Sequence, residues 1–587
     1  MRSHGKAVPG IWKIMWGVWV LLFVFNFVPT ASLDLDLFTN TKFDIPSNDN
    51  ALKFNADDAF QMTGEFVTQF PRRLFGSLEA RQSTGYLTDR LEAMGYEVEY
   101  SHYDGRIGKS QQAGRNVLAL KRGETDEILV IAAHFDTARP TVQGASKNGS
   151  AVGVLLELAE LFSKEKTYRS LLFAFTDGGE WGATGARELS LNYAGKDRIV
   201  AALSLDHVAP GNLAGFQLGR IGQLQGSTYP WLVKSVEKAI GLPAKSSDAR
   251  YTKILEKAFM ISSSDHGPFL RVGIPSLNLG SYSTDRKWEA EILHSSGDVI
   301  NNLKIESIEQ FGRAAEKTVR LIDGIKQISD GASTGELSER VRSMALYFLL
   351  LMPVLFSWCV HPPLKGCRQY LDWSRIGREL MALSITCIPL FLIYFGIRLA
   401  YAARQFPLYD LYPAIAKDPA MLQPPFQPLF IIAAAVLFAA VMVWIIGRYF
   451  LKEWGTPDGV NSKTALMAAL TVIVLLALIY NPFWAIVFLL LPTMAWAAVG
   501  TTFHPDTTSL SGKRIVNFVL ILIPMIPTFF ALGWLARQLG MGWNFYWYQT
   551  LALATGLFSP YAFFLSAVTI AVGIRFLVIN MNLQHRV

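Results

Sequence analysis

Six short segments of this 587-residue chain place acids, histidines or glycines at or just after apolar runs. Such runs are typical of buried strands, and α/β proteins bind ligands outside the carboxyl ends of their strands. Each segment alone is more often structural than functional, but six in order predict one site. The segments are Ala132–Thr137 (AAHFDT), Gly144–Ala151 (GASKNGSA), Phe175–Gly185 (FTDGGEWGATG), Leu203–His207 (LSLDH), Ser262–Phe269 (SSSDHGPF) and Leu293–Leu303 (LHSSGDVINNL).

His134 and Asp136 form the first candidate pair. In an extended segment the two side chains point to the same side. A carboxylate two residues on can hold an imidazole in one tautomer, as metal-ligating histidines require. Acids at the ends of later strands, Asp177 and Asp206, are expected at the same sheet edge. His-x-Asp by itself is more typical of a structural hydrogen bond.

The elements that must position these residues belong to an α/β domain at residues 34–340. Apolar runs at Ile128–Ala133, Leu171–Phe175 and Val200–Leu205 predict strands, and the periodicity of Ala151–Phe162 predicts a helix. Strands alternating with helices predict a doubly wound, largely parallel sheet covered on both faces. An amphipathic helix at Lys304–Gln327 is expected to pack on this sheet.

The remainder of the chain is predicted to be a seven-span membrane domain, residues 341–587. Hydrophobic residues make up 51% of the sequence and charged residues 17%, whereas soluble proteins carry about 25% charged residues. This composition excludes a disordered chain. The predicted spans are 344–361, 380–402, 428–447, 464–480, 482–500, 515–536 and 548–574, the last being long enough for a re-entrant stretch or a tilted helix.

One more apolar run, at residues 11–30, follows Arg2 and Lys6. Two alternatives are open, a cleaved signal peptide and a retained anchor at residues 1–33. The run is about 20 residues long, which suits a spanning helix better than a signal-peptide core of about 7–15 residues. Either alternative sends the α/β domain across the membrane, and the anchor brings the total to about eight transmembrane helices.

The distribution of Lys and Arg predicts the orientation of the chain. With the amino terminus inside, fourteen Lys and Arg residues fall in inner segments and four in short outer loops. We therefore expect an integral, multi-pass membrane protein with both termini cytoplasmic and the large domain extracytoplasmic. The net charge of +7 then reflects basic residues at span ends, which argues against nucleic acid as a partner. The near-absence of acids in the spans argues against ion-coupled transport.

The order of the six segments resembles the zinc aminopeptidases of peptidase family M28. The resemblance covers roughly residues 115–305 and implies a doubly wound α/β domain with two zinc ions. His134 and Asp206 would hold the first zinc, and Glu180 and His294 the second. The other pocket residues would be Asp136 (the partner of His134), Lys147, Asn148, Asp177, Asp265 and His266.

Two positions depart from the pattern of that family. Lys147 stands where the family has the aspartate that bridges both zinc ions, and an ammonium there would repel two cations. Gly179 stands where the family has its glutamate general base, a role worth about 10²–10⁴ in rate. The departures predict an inactive homologue with a vestigial or mononuclear metal set and no assigned catalytic residue. The alternative is an active membrane-bound zinc aminopeptidase with a mononuclear or altered site.

Three arrangements are open for Lys147. Its ammonium can replace the metals and pair with the acids, or one zinc can survive on some of the four carried-over ligands. In the third arrangement the loop has moved and Lys147 points to solvent.

The anchor, the aminopeptidase-like domain and the seven spans together resemble the aminopeptidase-like subunits of glycosylphosphatidylinositol transamidase. That resemblance implies a non-hydrolytic substrate-recognition or complex-scaffold protein that acts near the membrane. The expected partners are the lipid bilayer, a lipid or peptide-terminus ligand, and other membrane proteins. Two proline-rich spans, 515–536 and 548–574, are the expected walls of a lipid cleft.

Overall fold

The computed structural model describes residues 52–326, with gaps at 108–109, 224–225 and within 242–263, and four stretches of the carboxyl-terminal half. These stretches are 372–403, 426–449, 459–499 and, with short gaps, 515–582. The anchor at 11–30, the span at 344–361 and the domain boundaries near residues 33 and 340 lie outside the described residues and stay predictions.

Seven strands form one mixed sheet in the amino-terminal domain. They are β1 (Val98–Ile107), β2 (Ser110–Lys121), β3 (Ile128–His134), β4 (Ser170–Thr176), β5 (Ile199–Leu205), β6 (Leu213–Gly219) and β7 (Ser276–Ser283). The order across the sheet is β1-β2-β4-β3-β5-β7-β6. The four central strands are parallel, and β1, β2 and β6 are antiparallel to their neighbours.

The three predicted strands are confirmed as β3, β4 and β5. All seven residues of β3 and all seven of β4 are buried, as expected for central parallel strands. The expected largely parallel sheet is instead mixed, because antiparallel strands complete both edges. Polar residues interrupt β1 (VEYSHYDGRI), so a search for continuous apolar runs does not detect it.

Helices cover both faces of the sheet, as predicted. They are α1 (Ala56–Gln69), α2 (Leu78–Ala93), α3 (Ser150–Ser163), α4 (Thr184–Asn192), α5 (Pro230–Ile240), α6 (His266–Arg271), α7 (Arg286–Ile292) and α8 (Ile305–Asp323). The larger apolar core lies under α1, α3 and α8, and the smaller one lies under α4 on the other face. Helix α8 is the predicted amphipathic helix, and its apolar face, including Phe311 and Val319, is fully buried.

The strand order creates a crevice at one edge of the sheet. The chain passes from β3 to β4 on one side of β3 and then crosses to β5 on its other side. The connections on the two sides therefore diverge above the carboxyl ends of β3 and β5, which is where doubly wound sheets bind ligands. His134 ends β3 and Asp206 directly follows β5, so both lie at this crevice.

Helices make up the described part of the carboxyl-terminal half. They are α9 (Trp373–Ala402), α10 (Phe426–Tyr449), α11 (Gly459–Tyr480), α12 (Pro482–Val499), α13 (Ile526–Gln538), α14 (Phe545–Thr555) and α15 (Pro560–Asn582). Within the described residues, four helical stretches are long and apolar enough to cross a membrane: Trp373–Ala402, Asn461–Tyr480, Phe518–Arg537 and Pro560–Ile579. The chain is therefore a membrane-spanning protein, while the predicted total of eight spans is not confirmed.

The predicted run at 548–574 is not one continuous helix. Two helices, α14 and α15, occupy this run, and Pro560 is the first residue of the second. Proline lacks the N–H that a helix interior needs but is well tolerated in the first turn, so a new helix starts there. The described run here that is long and apolar enough to cross a membrane is Pro560–Ile579.

A buried ion pair joins three helices of the membrane half. Arg575 of α15 donates to the carboxylate of Glu379 of α9 through Nε at 2.7 Å and Nη2 at 3.0 Å, and Ser462 Oγ of α11 donates to the same carboxylate at 2.9 Å. The predicted spans 380–402 and 548–574 exclude Glu379 and Arg575 by one residue each. Both lie inside helices, because their mutual pairing offsets the cost of burying each charge.

Candidate functional site

The four carried-over ligand positions converge in the crevice. His134 Nε2 lies 3.5 Å from Asp206 Oδ1 and 4.0 Å from Glu180 Oε1. Glu180, in the turn after β4, lies 3.0 Å from His294 Nε2, which follows α7. All but His294 are nearly fully buried, and His294 is one-tenth exposed. The structure therefore brings together residues that lie up to 160 positions apart in the sequence.

Lys147 points into this cluster and not to solvent. Its Nζ donates to both oxygens of Asp206, at 2.7 and 2.8 Å, and lies 4.0 Å from Glu180 Oε1. Only 15% of its side chain is exposed. The ammonium thus lies between two carboxylates that the family resemblance assigns to different zinc ions.

The charges of the cluster stabilise one another. Burial acts to lower the pKa of Lys147, but the carboxylates of Asp206 and Glu180 outweigh it and hold that pKa above its ordinary value. Burial acts to raise the pKa of Asp206, and Lys147 and His134 instead hold it well below the ordinary value. In the same way, His294 and Lys147 lower the pKa of Glu180 to about 2 against the effect of burial.

Asp136 connects the ends of β3 and β4. Its Oδ1 lies 3.1 Å from His134 Nδ1, and its carboxylate accepts the backbone N–H groups of Gly179 at 2.6 Å and Glu180 at 3.1 Å. These bonds orient the imidazole with Nε2 toward Asp206. Burial acts to lower the pKa of His134, but its bond to Asp136 and the nearby Asp206 raise it well above the ordinary value. The predicted partnership of His134 and Asp136 is present in the structure.

The backbone of Gly179 lies against the imidazole of His134. A Cβ atom at residue 179 would come within 2.2 Å of His134 Cγ, a distance that real Cβ atoms essentially never show. A side chain at this position therefore requires His134 to move. The glycine is part of how this pocket is packed, and restoring a glutamate there would displace the first carried-over ligand.

The loop that carries Lys147 is attached at three points. Asp298 accepts the backbone N–H groups of Ser146 at 2.6 Å and Lys147 at 3.1 Å. Asn148 donates its side-chain amide to Leu205 O at 3.1 Å and accepts the N–H of His207 at 3.0 Å. These bonds tie the loop to β5 and to the segment after α7. The position of the ammonium is therefore determined by tertiary contacts.

His207 forms a further attachment beside this loop. Its Nδ1 lies 3.1 Å from Ser146 Oγ, and its Nε2 lies 2.7 Å from Glu289 Oε1 of α7. Ser146 is buried and also donates to Val208 O at 2.6 Å. Because Ser146 Oγ is buried and already bonded, this Ser-His-Glu chain supports the loop and offers no accessible nucleophile.

The remaining predicted pocket residues, Asp177, Asp265 and His266, are buried near the cluster. Asp265 accepts a hydrogen bond from Thr176 Oγ1 at the end of β4, and burial raises the pKa of Asp265 to about 6. Burial also lowers the pKa of His266 to about 4, so its imidazole is neutral at neutral pH. Asp177 accepts the N–H of Arg115 at 3.3 Å and lies farther toward β2. None of these three residues has a direct bond to Lys147 among the described contacts.

Four residues of the site were not assigned from the sequence. Ser264 donates to Asp206 Oδ2 at 2.7 Å, and Asp298, His207 and Glu289 hold the lysine loop as described. Ser264, His207 and Asp298 lie inside the six segments singled out above. Their positions, after a strand or in a glycine-rich turn, could have marked them as site residues. Glu289 lies in a helix, and no feature of the sequence marked it.

Zinc, which the family resemblance implies, does not fit the arrangement of these residues. The two oxygens of Asp206 that would face a metal accept hydrogen bonds from an ammonium instead. Within the described residues, no group of three or more His, Cys, Asp or Glu side chains is arranged to hold a metal ion. The cluster is balanced by Lys147 and the histidines.

Comparison with known proteins identifies the domain. Residues 116–319 match the model of peptidase family M28. The alkaline phosphatase isozyme conversion protein of Escherichia coli is 27% identical over 187 residues, which cover 28% of this chain and 54% of that protein. The BOS complex subunit NCLN of Gallus gallus is 38% identical over 106 residues, which cover 15% of this chain and 19% of that protein. The chain thus spans about half or less of the length of these relatives.

A zinc aminopeptidase from Bacillus subtilis is similar in structure. The match covers 47% of this chain and 97% of that chain, with 13% sequence identity and a TM-score of 0.40. The match of residues 116–319 to the family model shows a peptidase M28 domain, which confirms the resemblance drawn from the six segments.

Proposed function

We propose that this protein is a membrane-integral aminopeptidase-like protein that binds a ligand or partner without hydrolysing it. The observation that carries the proposal is the pairing of Lys147 Nζ with both oxygens of Asp206. In this position the ammonium supplies the positive charge that metal ions would otherwise supply. Without that charge, Asp206 and Glu180 would be buried beside each other at a high cost.

The surroundings of Gly179 support the proposal independently. A general base has to reach the proton it abstracts within about 2.6–3.2 Å, directly or through one water. Glycine has no side chain to do so, and a Cβ atom there would collide with His134. Lys147 and Gly179 thus point to the same conclusion. A pocket that holds no metal-bound water does not need a general base.

The membrane half defines where such binding would happen. We propose that both termini are cytoplasmic and that the M28 domain is extracytoplasmic, as the distribution of Lys and Arg indicates. The ligand would be a lipid head group or a peptide terminus presented at the membrane, and other membrane proteins would be the partners of the helices. The relative in Gallus gallus is a subunit of a complex by its name, which supports a scaffold role.

Metal content and turnover of the purified full-length protein test the proposal. We expect less than one zinc per chain by elemental analysis and no hydrolysis of aminoacyl substrates. Two zinc ions per chain, or turnover that is lost in Glu180→Ala, would show the proposal to be wrong and favour the active membrane-bound aminopeptidase. One zinc per chain without turnover would favour the mononuclear site.

The Lys147→Asp variant tests whether the ammonium is what excludes metal. It places a carboxylate beside His134, Asp206 and Glu180, so we expect its zinc content to rise above that of the unchanged protein. Lys164→Asp is the matched control, because Lys164, the residue after α3, is largely exposed and pairs with Glu160. Equal zinc content in both variants would mean that Lys147 does not exclude the metal.

A further inference from the structure

One lysine of the membrane half is buried without a counter-charge. Lys463, near the start of α11, is 6% exposed. Among the residues that the structure describes, it makes no hydrogen bond and no ion pair. Met467, Leu470 and Val474 lie on the same face of α11 and are fully buried in the apolar cluster that α11 shares with α9, α12 and α15. Lys463 therefore continues the buried face of α11 toward the end of the helix bundle.

The buried carboxylate beside the start of α11 is already paired. Glu379 of α9 accepts two bonds from Arg575 of α15, and Ser462, the residue before the lysine, donates to the same carboxylate. Asn461 accepts the backbone N–H of Asp372, which caps α9, at 3.1 Å. The amino ends of α9 and α11 and the carboxyl-terminal part of α15 therefore meet at one place. The charge of Glu379 is balanced there by Arg575.

Positive charge is in excess where these three helices meet. Asp372 pairs with Arg375 at 3.2 Å, and the next basic residue of α9, Arg378, is exposed. The described charged side chains here are four cations, Arg375, Arg378, Lys463 and Arg575, and two carboxylates, Asp372 and Glu379. The amino terminus of α11 adds roughly half an elementary positive charge. A buried ammonium in such a field either loses its proton or takes an anion from outside the chain as its partner.

The depth of Lys463 matches the level of lipid head groups. It is the third residue of Asn461–Tyr480, a stretch long and apolar enough to cross a membrane, so its Cα lies about 3 Å along the helix axis from the end of that stretch. Helix side chains tilt toward the amino terminus, which brings the ammonium closer to that end. Trp373, the first residue of the corresponding stretch of α9, is 76% exposed, and exposed tryptophans are typical of the membrane–water interface.

We propose that Lys463 binds the phosphate of an anionic phospholipid where α9, α11 and α15 meet. The phosphate supplies the missing negative charge, and basic pockets between membrane helices are typical sites for anionic head groups. Arg378 adds a second, exposed cation. Leu380 and Met381 follow on α9 and are exposed, so acyl chains have an apolar surface beside the site that a free phosphate ion would not use.

This lipid site is separate from the pocket of the M28 domain. In the orientation proposed above it lies at the cytoplasmic end of the bundle, where the leaflet carries anionic lipids. The inference goes beyond the proposed function, and each can fail without the other. Zinc content and turnover report on the pocket, whereas lipid binding reports on Lys463.

Lipid binding to the purified full-length protein tests the site. The protein is stripped of lipid in detergent and titrated with phosphatidylglycerol or with phosphatidylcholine, and native mass spectrometry gives the apparent Kd of the first bound lipid. We expect phosphatidylglycerol to bind at least about fivefold more tightly, and this preference to disappear in Lys463→Gln and persist in Lys463→Arg. Arg537→Gln is the matched control, because it removes an exposed cation at the carboxyl end of α13. An equal preference in Lys463→Gln and Arg537→Gln, or no preference in the unchanged protein, would overturn the site.

Thermal unfolding gives a second readout and separates a lipid from a free phosphate ion. Lys463→Met removes an unpaired buried charge, so in lipid-free detergent we expect its midpoint to lie above that of the unchanged protein. Phosphatidylglycerol should raise the midpoint of the unchanged protein and narrow this gap, whereas inorganic phosphate at the same concentration should not. A gap that phosphatidylglycerol leaves unchanged would overturn the site. An equal rise with inorganic phosphate would show that the site takes a free anion and would overturn the lipid as its ligand.

Discussion

Replacing Lys147 by alanine should destabilise the M28 domain strongly. The variant leaves Asp206 and Glu180, which are 5% and 2% exposed, without the ammonium that lies between them. Breaking a buried ion pair by removing one partner costs about 3–5 kcal/mol. His134 remains 3.5 Å from Asp206, and Lys147 itself is 15% exposed, so the lower part of this range applies. We expect the free energy of unfolding to fall by about 3 kcal/mol.

Thermal unfolding of the full-length protein in detergent measures this loss. A change of 1 kcal/mol moves the midpoint by about 2–4 °C in a domain of this size, so Lys147→Ala should lower it by roughly 6–12 °C. Lys164→Ala is the control, because its ion pair with Glu160 is exposed and exposed pairs contribute about 0–1 kcal/mol. An unchanged midpoint in Lys147→Ala would refute the reasoning, since it would mean that the ammonium offsets no buried charge.

A double-mutant cycle with Asp206→Asn separates the pair from other effects of the substitution. If the loss arises from an unpaired carboxylate, then Lys147→Ala should cost much less in the Asp206→Asn background. The loss in Lys147→Ala should also shrink as the pH falls. Without the ammonium, burial raises the pKa of Asp206, so the folded variant takes up a proton in acid and regains stability. Additive losses in the cycle would locate the effect elsewhere.

Three further perturbations have expected outcomes. Gly179→Ala should lower the free energy of unfolding by about 1–3 kcal/mol, because the new Cβ would collide with His134. Gly85→Ala is the control: its Cβ would have no atom within 4 Å, so this variant should be neutral or stabilising in thermal unfolding. Burial raises the pKa of Glu157 from 4.5 to about 7, so the folded state holds a proton that the unfolded state releases, and stability falls as pH rises through that window. Glu157→Gln should therefore be more stabilising at pH 8 than at pH 5, and equal effects at both values would exclude this titration. Glu379→Leu should destabilise the helix bundle by leaving Arg575 unpaired, and adding Arg575→Met should recover most of the loss in a thermal aggregation assay.

The prediction of the fold identified three of the four central parallel strands and missed β7 and the three antiparallel strands. Strands β3, β4 and β5 are buried on both faces, and continuous apolar runs identify them. Polar residues interrupt β1 (VEYSHYDGRI) and β7 (SLNLGSYS), so no continuous apolar run marks either strand. In the membrane half, hydropathy located the apolar runs but not the break before Pro560, because hydropathy does not register where a helix ends.

The sequence by itself determined that His134 and Asp206 meet in the pocket. The order of strands and helices places the carboxyl ends of β3 and β5 at one crevice, and short connections leave His134 and Asp206 no other location. The sequence also shows directly that Lys147 and Gly179 replace the bridging carboxylate and the general base of the family pattern.

Only the tertiary structure decided what Lys147 does. Its backbone is held by Asp298, 151 residues farther along the chain, and its ammonium by Asp206, 59 residues away. The same holds for Gly179, whose contact with His134 crosses from one strand end to another, and for Phe259, whose ring meets that of Phe488 of α12. A local pattern specifies which residue types are available, but the distance between side chains remote in sequence depends on how the elements pack.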